Sequence, residues 1–132
     1  MDPFKIDTVH HIAVVNTNYE KSYDFYVNKL GLKVIFDVER PQRGDRVIML
    51  ELAHGAMLEL FIMPGAPART YEVKPVGAWH LAFHVEDVPQ AVQWLNNRGI
   101  ETDPILVNTT NGWNKRIVFF YDPDGTPLEL HE

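Results

Sequence analysis

The sequence contains no cysteine in 132 residues, and this absence restricts the available chemistry. It excludes disulfides, thiolate-bound iron–sulfur clusters and a cysteine nucleophile, and any metal site must use nitrogen and oxygen ligands. Basic residues are also few, since 12 Lys and Arg stand against 18 Asp and Glu, for a formal net charge of -6. This balance argues against a nucleic-acid partner, which usually requires a basic face.

Long apolar runs are absent as well. No segment approaches the roughly 18 consecutive apolar residues that a membrane-spanning helix requires, and residues 1–5 lack the apolar core of a signal peptide. We therefore expect no membrane partner and a cytoplasmic location. The apolar fraction of 45% and charged fraction of 23% are typical of globular proteins, and the length fits one domain spanning residues 1–132.

The chain carries an internal repeat. His11 and His80 each open a short apolar run and lie 69 residues apart, and Glu59 and Glu129 lie 70 apart, each inside a Leu-Glu-Leu triplet. Such self-similarity at one offset indicates two homologous halves. We place the first module at about 7–62, a Pro/Gly-rich linker at about 63–76 and the second module at about 77–132.

Each half is predicted to form a strand, a helix and then three strands. The expected strands lie near 9–15, 32–39, 45–53 and 56–62, and near 79–85, 104–108, 114–121 and 126–131. Thr17 with Glu20, and Asp87 with Gln90, have the spacing of a capping box at a helix start. Gly31 and Gly99 mark the helix ends, and Asp122 opens a strong turn signal. The expected class is α+β.

Strand alternation predicts where the repeated polar residues point. Ile12 and Val14 are the natural partners of the first helix, so His11 projects from the other face of its strand. The same reasoning places His80, Glu59 and Glu129 on the faces that the helices leave uncovered. Any one of them alone is more often ordinary half-exposed surface.

The four residues together favour a metal site. A bare carboxylate in an apolar strand is costly unless it is paired or bound to a metal. Two imidazoles and two carboxylates suit a divalent ion, and the ligand set would neutralise it. We therefore predict that His11, Glu59, His80 and Glu129 bind one divalent ion, such as zinc, nickel, iron, cobalt or manganese.

These motifs resemble the vicinal oxygen chelate superfamily, and within it the glyoxalase I-like metalloenzymes. The resemblance covers almost the whole chain and is carried by residues 11–15, 22–26, 30–31, 58–60, 80–83, 122–125 and 128–130. It implies paired βαβββ modules that form an open curved mixed sheet around one metal. It assigns the ligands residue by residue to His11, Glu59, His80 and Glu129, the full set of glyoxalase I.

The resemblance also implies a reaction and an assembly. The reaction is that of a lactoylglutathione lyase-like lyase or isomerase, which shifts a proton next to a carbonyl of a substrate with vicinal oxygens through a metal-stabilised enediolate. Glu129 would be the base, with Glu59 as the alternative. The assembly would be a homodimer with shared sites, in which His11 and Glu59 of one chain meet His80 and Glu129 of the other.

One position departs from the pattern of the glutathione-using members, so the sequence does not assign one substrate or one activity. Glutathione-using members carry an arginine four residues after the first ligand histidine, where this chain has Val15. An α-ketoaldehyde–thiol hemithioacetal is therefore one candidate substrate. The alternatives are an Fe(II)-dependent ring-cleaving dioxygenase, which a fourth protein ligand disfavours, and a non-catalytic ligand-binding protein of the bleomycin-resistance type.

Other polar residues receive simpler interpretations. His10 is expected on the opposite face of its strand from His11, in a structural role. Arg40, Arg43 and Arg46 cluster around Pro41 and Gly44, which is typical of a mobile loop, with ordinary surface charge as their default role. Trp113, Lys115 and Arg116 could reach a substrate anion, although a solvated loop is the default.

Overall fold

A computed structural model describes residues 4–132, which form two compact units. One unit ends at Ala66 and the other begins at Pro67, within the predicted linker. Each unit has one four-stranded mixed sheet and the order strand, helix, three strands, so the predicted α+β class and the βαβββ repeat are confirmed. Within the described residues, no helix is long and apolar enough to cross a membrane.

The first unit is built on strands β1 to β4 and helix α1. Strand β1 spans His11–Asn16, and α1 spans Tyr19–Tyr23 and continues as a π-helix over Asp24–Lys29. Strands β2, β3 and β4 span Lys33–Arg40, Asp45–Glu51 and Met57–Ile62, and a short 3-10 turn covers Ala53–Gly55. The sheet order is β1-β4-β3-β2, with β1 parallel to β4.

The second unit repeats this arrangement. Strand β5 spans Leu81–His84, α2 spans Val88–Asn97, and β6, β7 and β8 span Leu106–Asn108, Lys115–Tyr121 and Pro127–His131. A 3-10 turn covers Thr110–Gly112. The sheet order is β5-β8-β7-β6, with β5 parallel to β8. The parallel pair in each unit joins the strand before the helix to the last strand of the repeat.

One of the two predicted helix starts is wrong. Asn18, not Thr17, caps α1, because its side-chain oxygen accepts from the backbone N–H of Lys21 at 3.0 Å. Asp87 caps α2 as predicted, and its carboxylate accepts from Gln90 N–H at 2.9 Å. An oxygen side chain at this position satisfies one of the free N–H groups of the first helical turn.

The core follows the predicted alternation, with exceptions in β8 and β1. Leu58 and Leu60 are fully buried in β4 while Glu59 between them is half-buried. In β8, by contrast, Leu128, Glu129 and Leu130 are all buried. In β1, Val14 is buried as expected, but Ile12 is 38% exposed. Strand β8 therefore carries a buried carboxylate inside an apolar segment.

Glu132 ties the end of the chain to helix α2. Its carboxylate accepts from the backbone N–H of Val88 at 2.8 Å and from Arg116 Nε at 2.9 Å. Arg116, considered above as a contact for a substrate anion, is thus engaged in an ion pair. Mainly because of this guanidinium, the pKa of Glu132 falls from 4.5 to about 2.

Glu132 should therefore stabilise the fold in a pH-dependent way. Its folded-state pKa lies below the unfolded value, so its contribution is complete above about pH 4.5 and is lost as the pH falls towards about 2. We expect Glu132→Gln to lower the urea midpoint of unfolding near neutral pH. The difference in midpoint between this variant and the wild type should disappear as the pH falls towards about 2. Glu101→Gln, at an exposed position, is the control. A gap that stays constant with pH would contradict this role.

Candidate metal centre

The first histidine–glutamate pair lies on one face of the first sheet. The register pairs Ala13 of β1 with Glu59 of β4, so His11 is the diagonal neighbour of Glu59 on the same face. His11 Nε2 lies 3.8 Å from Glu59 Oε1, and the two side chains are 40% and 17% exposed. Residues that are 48 positions apart in sequence thus meet through a parallel strand pairing.

The second pair repeats this geometry in the second unit. Ala82 of β5 pairs with Glu129 of β8, so His80 is again the diagonal neighbour. His80 Nε2 lies 3.1 Å from Glu129 Oε2, and the side chains are 34% and 8% exposed. Strand β5 begins at Leu81, two residues later than predicted, so His80 lies just before it.

The surroundings of Glu129 favour a cationic partner. The residue opposite it in β7 is Phe119, whose ring also makes an edge-to-face contact with the ring of His80 at 5.3 Å between centroids. A buried carboxylate between apolar neighbours is costly without a cation or a hydrogen-bond donor. Either a protonated His80 or a metal ion shared with neutral His80 would meet this requirement.

The donor atoms fit a divalent ion. Imidazole nitrogen and carboxylate oxygen bind zinc at about 2.0–2.2 Å, so two such donors at roughly 90–110° lie about 3.0–3.5 Å apart. The 3.1 Å between His80 Nε2 and Glu129 Oε2 falls within this range, and the 3.8 Å between His11 Nε2 and Glu59 Oε1 lies slightly outside it. Each pair can thus supply two ligands, the first after a small side-chain adjustment.

The predicted set of four is brought together only as two pairs. Among residues 4–132, no group of three or more His, Asp or Glu side chains lies close enough to hold one ion. The four-ligand centre therefore stays a prediction. The two pairs, each on one face of its own sheet, are the structural basis for it.

Two expectations about the first unit need correction. Arg40 and Arg46 lie in strands rather than in a mobile loop. Arg40 donates to Asp45 through two nitrogens, at 2.8 and 2.7 Å, and its guanidinium lies over Phe61, on the face of Glu59. Arg46 donates to Asp37 at 2.7 Å, and only Arg43 belongs to the turn between the strands.

The position of His10 also differs from the expectation. His10 precedes β1, so strand alternation does not determine where its side chain points. Its Nδ1 lies 2.9 Å from Nδ1 of His11, and the two rings meet at 79°. His10 is therefore a direct neighbour of a candidate ligand.

Sequence reasoning missed a polar network beside Glu129. His131 lies on the same face as Glu129, and its Nδ1 donates to the backbone carbonyl of Glu132 at 2.6 Å, which leaves Nε2 as an acceptor. Asn108 Nδ2 donates to that Nε2 at 3.4 Å. The ring of Trp113 packs edge-to-face against His131 at 5.5 Å. The contacts of His131 with Asn108 and Trp113 join residues far apart in sequence, so no local pattern marks them.

Comparison with known proteins identifies the family. The family model of the Glyoxalase/Bleomycin resistance protein/Dioxygenase superfamily matches residues 8–130. The chain therefore belongs to this superfamily, whose members typically bind small-molecule substrates and a divalent metal and often form dimers. The match spans both repeats and all four candidate ligands.

Three relatives show the range of similarity. The uncharacterized protein YwkD of Bacillus subtilis is 44% identical over 96% of this chain and 98% of its own length. The crystal structure of a glyoxalase family protein from Enterococcus faecalis has a TM-score of 0.89 and 42% identity, covering 95% of this chain and 97% of its own. A lactoylglutathione lyase of Neisseria meningitidis is 29% identical over 86% of this chain and 81% of its own length.

More distant relatives do not share one activity. They also include an epimerase, a metallothiol transferase and a manganese-dependent dioxygenase. Family membership thus fixes the fold, and the reaction has to be argued from the site.

Proposed function

We propose that this chain is a metal-dependent lyase or isomerase of the glyoxalase I type. The observation that carries the proposal is the duplicated pair, in which an imidazole Nε2 faces a glutamate carboxylate in the same way in both sheets. A dioxygenase centre with two histidines and one carboxylate has no use for a second carboxylate at the matching position. Four protein donors instead suit chemistry that needs charge stabilisation and a base.

His11, Glu59, His80 and Glu129 would together hold one divalent ion, zinc or nickel first and cobalt, manganese or iron as alternatives. Bound there, the ion would supply Lewis-acid stabilisation of the negative charge that develops on a substrate carbonyl oxygen. A homodimer would meet the ligand requirement if each ion takes one pair from each subunit. This assembly is part of the proposal.

Glu129 is our choice for the base. Its carboxylate is largely shielded from water, and its Oε2 lies 3.1 Å from His80 Nε2, a separation that suits two donors to one ion. The Glu129 carboxylate would take the proton from the carbon next to the carbonyl and return it to the neighbouring carbon, so the product is an isomer of the adduct. Glu59 is the alternative base, because the repeat places it in the matching position.

The first unit indicates a substrate with an apolar portion. Val15 is exposed where glutathione-using relatives carry an arginine, and Met57 and Phe61 share the face of Glu59. An α-ketoaldehyde–thiol hemithioacetal with a thiol less anionic than glutathione is our preferred substrate, because the guanidinium of Arg40, which lies over Phe61, is already paired with Asp45. The two vicinal oxygens of such an adduct match the proposed chemistry.

The test is a metal-loaded assay panel. The metal-free protein is reconstituted separately with zinc, nickel, cobalt, manganese and iron, and each form is assayed with adducts of methylglyoxal and phenylglyoxal with glutathione and with uncharged thiols. We expect thioester formation with at least one metal and a preference for the uncharged thiol. Oxygen uptake with catechols by the anaerobically iron-loaded protein, without thioester formation, would favour the dioxygenase instead.

A further inference from the structure

His11 has a different partner at each of its two ring nitrogens. Nε2 faces Glu59 Oε1 at 3.8 Å, whereas Nδ1 lies 2.9 Å from Nδ1 of His10. A distance of 2.9 Å between two nitrogens is that of a hydrogen bond. One of the two nitrogens must therefore carry a proton and the other a lone pair.

The direction of this hydrogen bond decides whether His11 can be a ligand. If His11 Nδ1–H donates to His10, the neutral imidazole of His11 keeps its lone pair on Nε2, which points towards Glu59. If His10 donates instead, the proton of neutral His11 sits on Nε2 and blocks coordination. Histidine ligands generally donate their second ring N–H to an outer partner, which fixes both the tautomer and the ring orientation.

We propose that His10 is a positioning residue that accepts the Nδ1–H of His11 and thereby presents Nε2 as the ligand atom. The inference rests on the proposed metal centre. In most metal sites the outer partner of a ligand histidine is a carboxylate, a backbone carbonyl or a water molecule. Here the outer partner of His11 would be the imidazole of His10.

The second unit has no histidine immediately before its candidate ligand. The residue before His80 is Trp79, whose ring lies against the guanidinium of Arg69 at 4.7 Å and edge-to-face with Tyr71 at 6.0 Å. His80 itself makes an edge-to-face ring contact with Phe119. Loss of the side chain at position 10 should therefore weaken the first pair and leave the geometry of the second unchanged.

The test compares two substitutions of similar size. His10→Leu removes the acceptor, whereas His10→Asn keeps an acceptor oxygen close to the place of Nδ1. In the metal-free protein, long-range proton–nitrogen NMR should show His11 protonated at Nδ1 in wild type and His10→Asn, and a mixture of tautomers in His10→Leu. In titration calorimetry with zinc, the Kd of His10→Leu should be about 10–100-fold higher than that of the wild type. The Kd of His10→Asn should lie close to the wild-type value.

His54→Asn is the matched control, because His54 is exposed in a turn with a φ of +64°, a conformation that asparagine tolerates. It should change neither readout. An unaltered His11 tautomer in His10→Leu, or a zinc Kd within about twofold of wild type, would overturn the assignment. If wild type itself binds no metal, the proposed centre fails, whereas the NMR comparison still decides whether His10 fixes the tautomer of His11.

Discussion

Glu129→Gln should abolish most turnover while leaving the metal bound. The amide keeps an oxygen where the carboxylate oxygen was, but it cannot accept the carbon-bound proton. Positioned acid–base groups contribute about 10²–10⁴-fold to rate, so we expect kcat to fall by a factor of this order. The measurement is kcat on the preferred thiol adduct beside bound metal by elemental analysis.

Glu59→Gln is the matched comparison, since Glu59 occupies the same place in the first repeat. We expect a smaller loss of kcat for this variant than for Glu129→Gln. The reverse order would transfer the role of base to Glu59. Turnover near wild type in Glu129→Gln, with metal retained, would reject the assignment of Glu129.

His80→Ala should eliminate stoichiometric metal binding. The substitution removes the Nε2 atom that lies 3.1 Å from Glu129 and leaves a buried carboxylate without its imidazole neighbour. Loss of an outer partner alone costs about 10–100-fold in metal affinity, and loss of a direct ligand should cost more. Dialysed protein should then contain no stoichiometric metal, and added zinc should no longer raise its melting temperature.

The control for this variant is His84→Ala, which removes an exposed imidazole from the adjoining strand β5. It should retain the metal content of wild type. Circular dichroism of metal-free His80→Ala separates ligand loss from unfolding. A folded His80→Ala protein that keeps one equivalent of metal would exclude His80 as a ligand.

The sequence was sufficient to predict the repeat and the faces on which its four candidate ligands lie. An offset near 70 residues and strand alternation place all four side chains on the faces that the helices leave uncovered, because period-2 patterning is a property of each strand. The grouping of His11 with Glu59 and of His80 with Glu129 came from the family resemblance, and the parallel pairings of β1 with β4 and of β5 with β8 account for it. The turn at Asp122 was predictable for a similar reason. Its carboxylate accepts from the N–H groups of Asp124 and Thr126, both at 2.9 Å, which is a local arrangement.

The errors arose where contacts are not local. The turn itself is confined to residues 41–44, and Arg40 and Arg46 belong to the flanking strands, where each pairs with an aspartate of the same hairpin. Alternation failed at His10 because that residue precedes the strand. The homodimer that we propose to bring both pairs to one ion would rest on contacts between chains, which no local pattern encodes.

The most direct test of the central claim is the metal stoichiometry of the wild-type protein, measured together with X-ray absorption at the metal edge. If one ion uses both pairs, the protein will bind one equivalent per chain, with two imidazole nitrogens and carboxylate oxygens in its first shell. Two equivalents per chain with one imidazole each would show that the pairs act separately. No bound metal would contradict the proposed centre altogether.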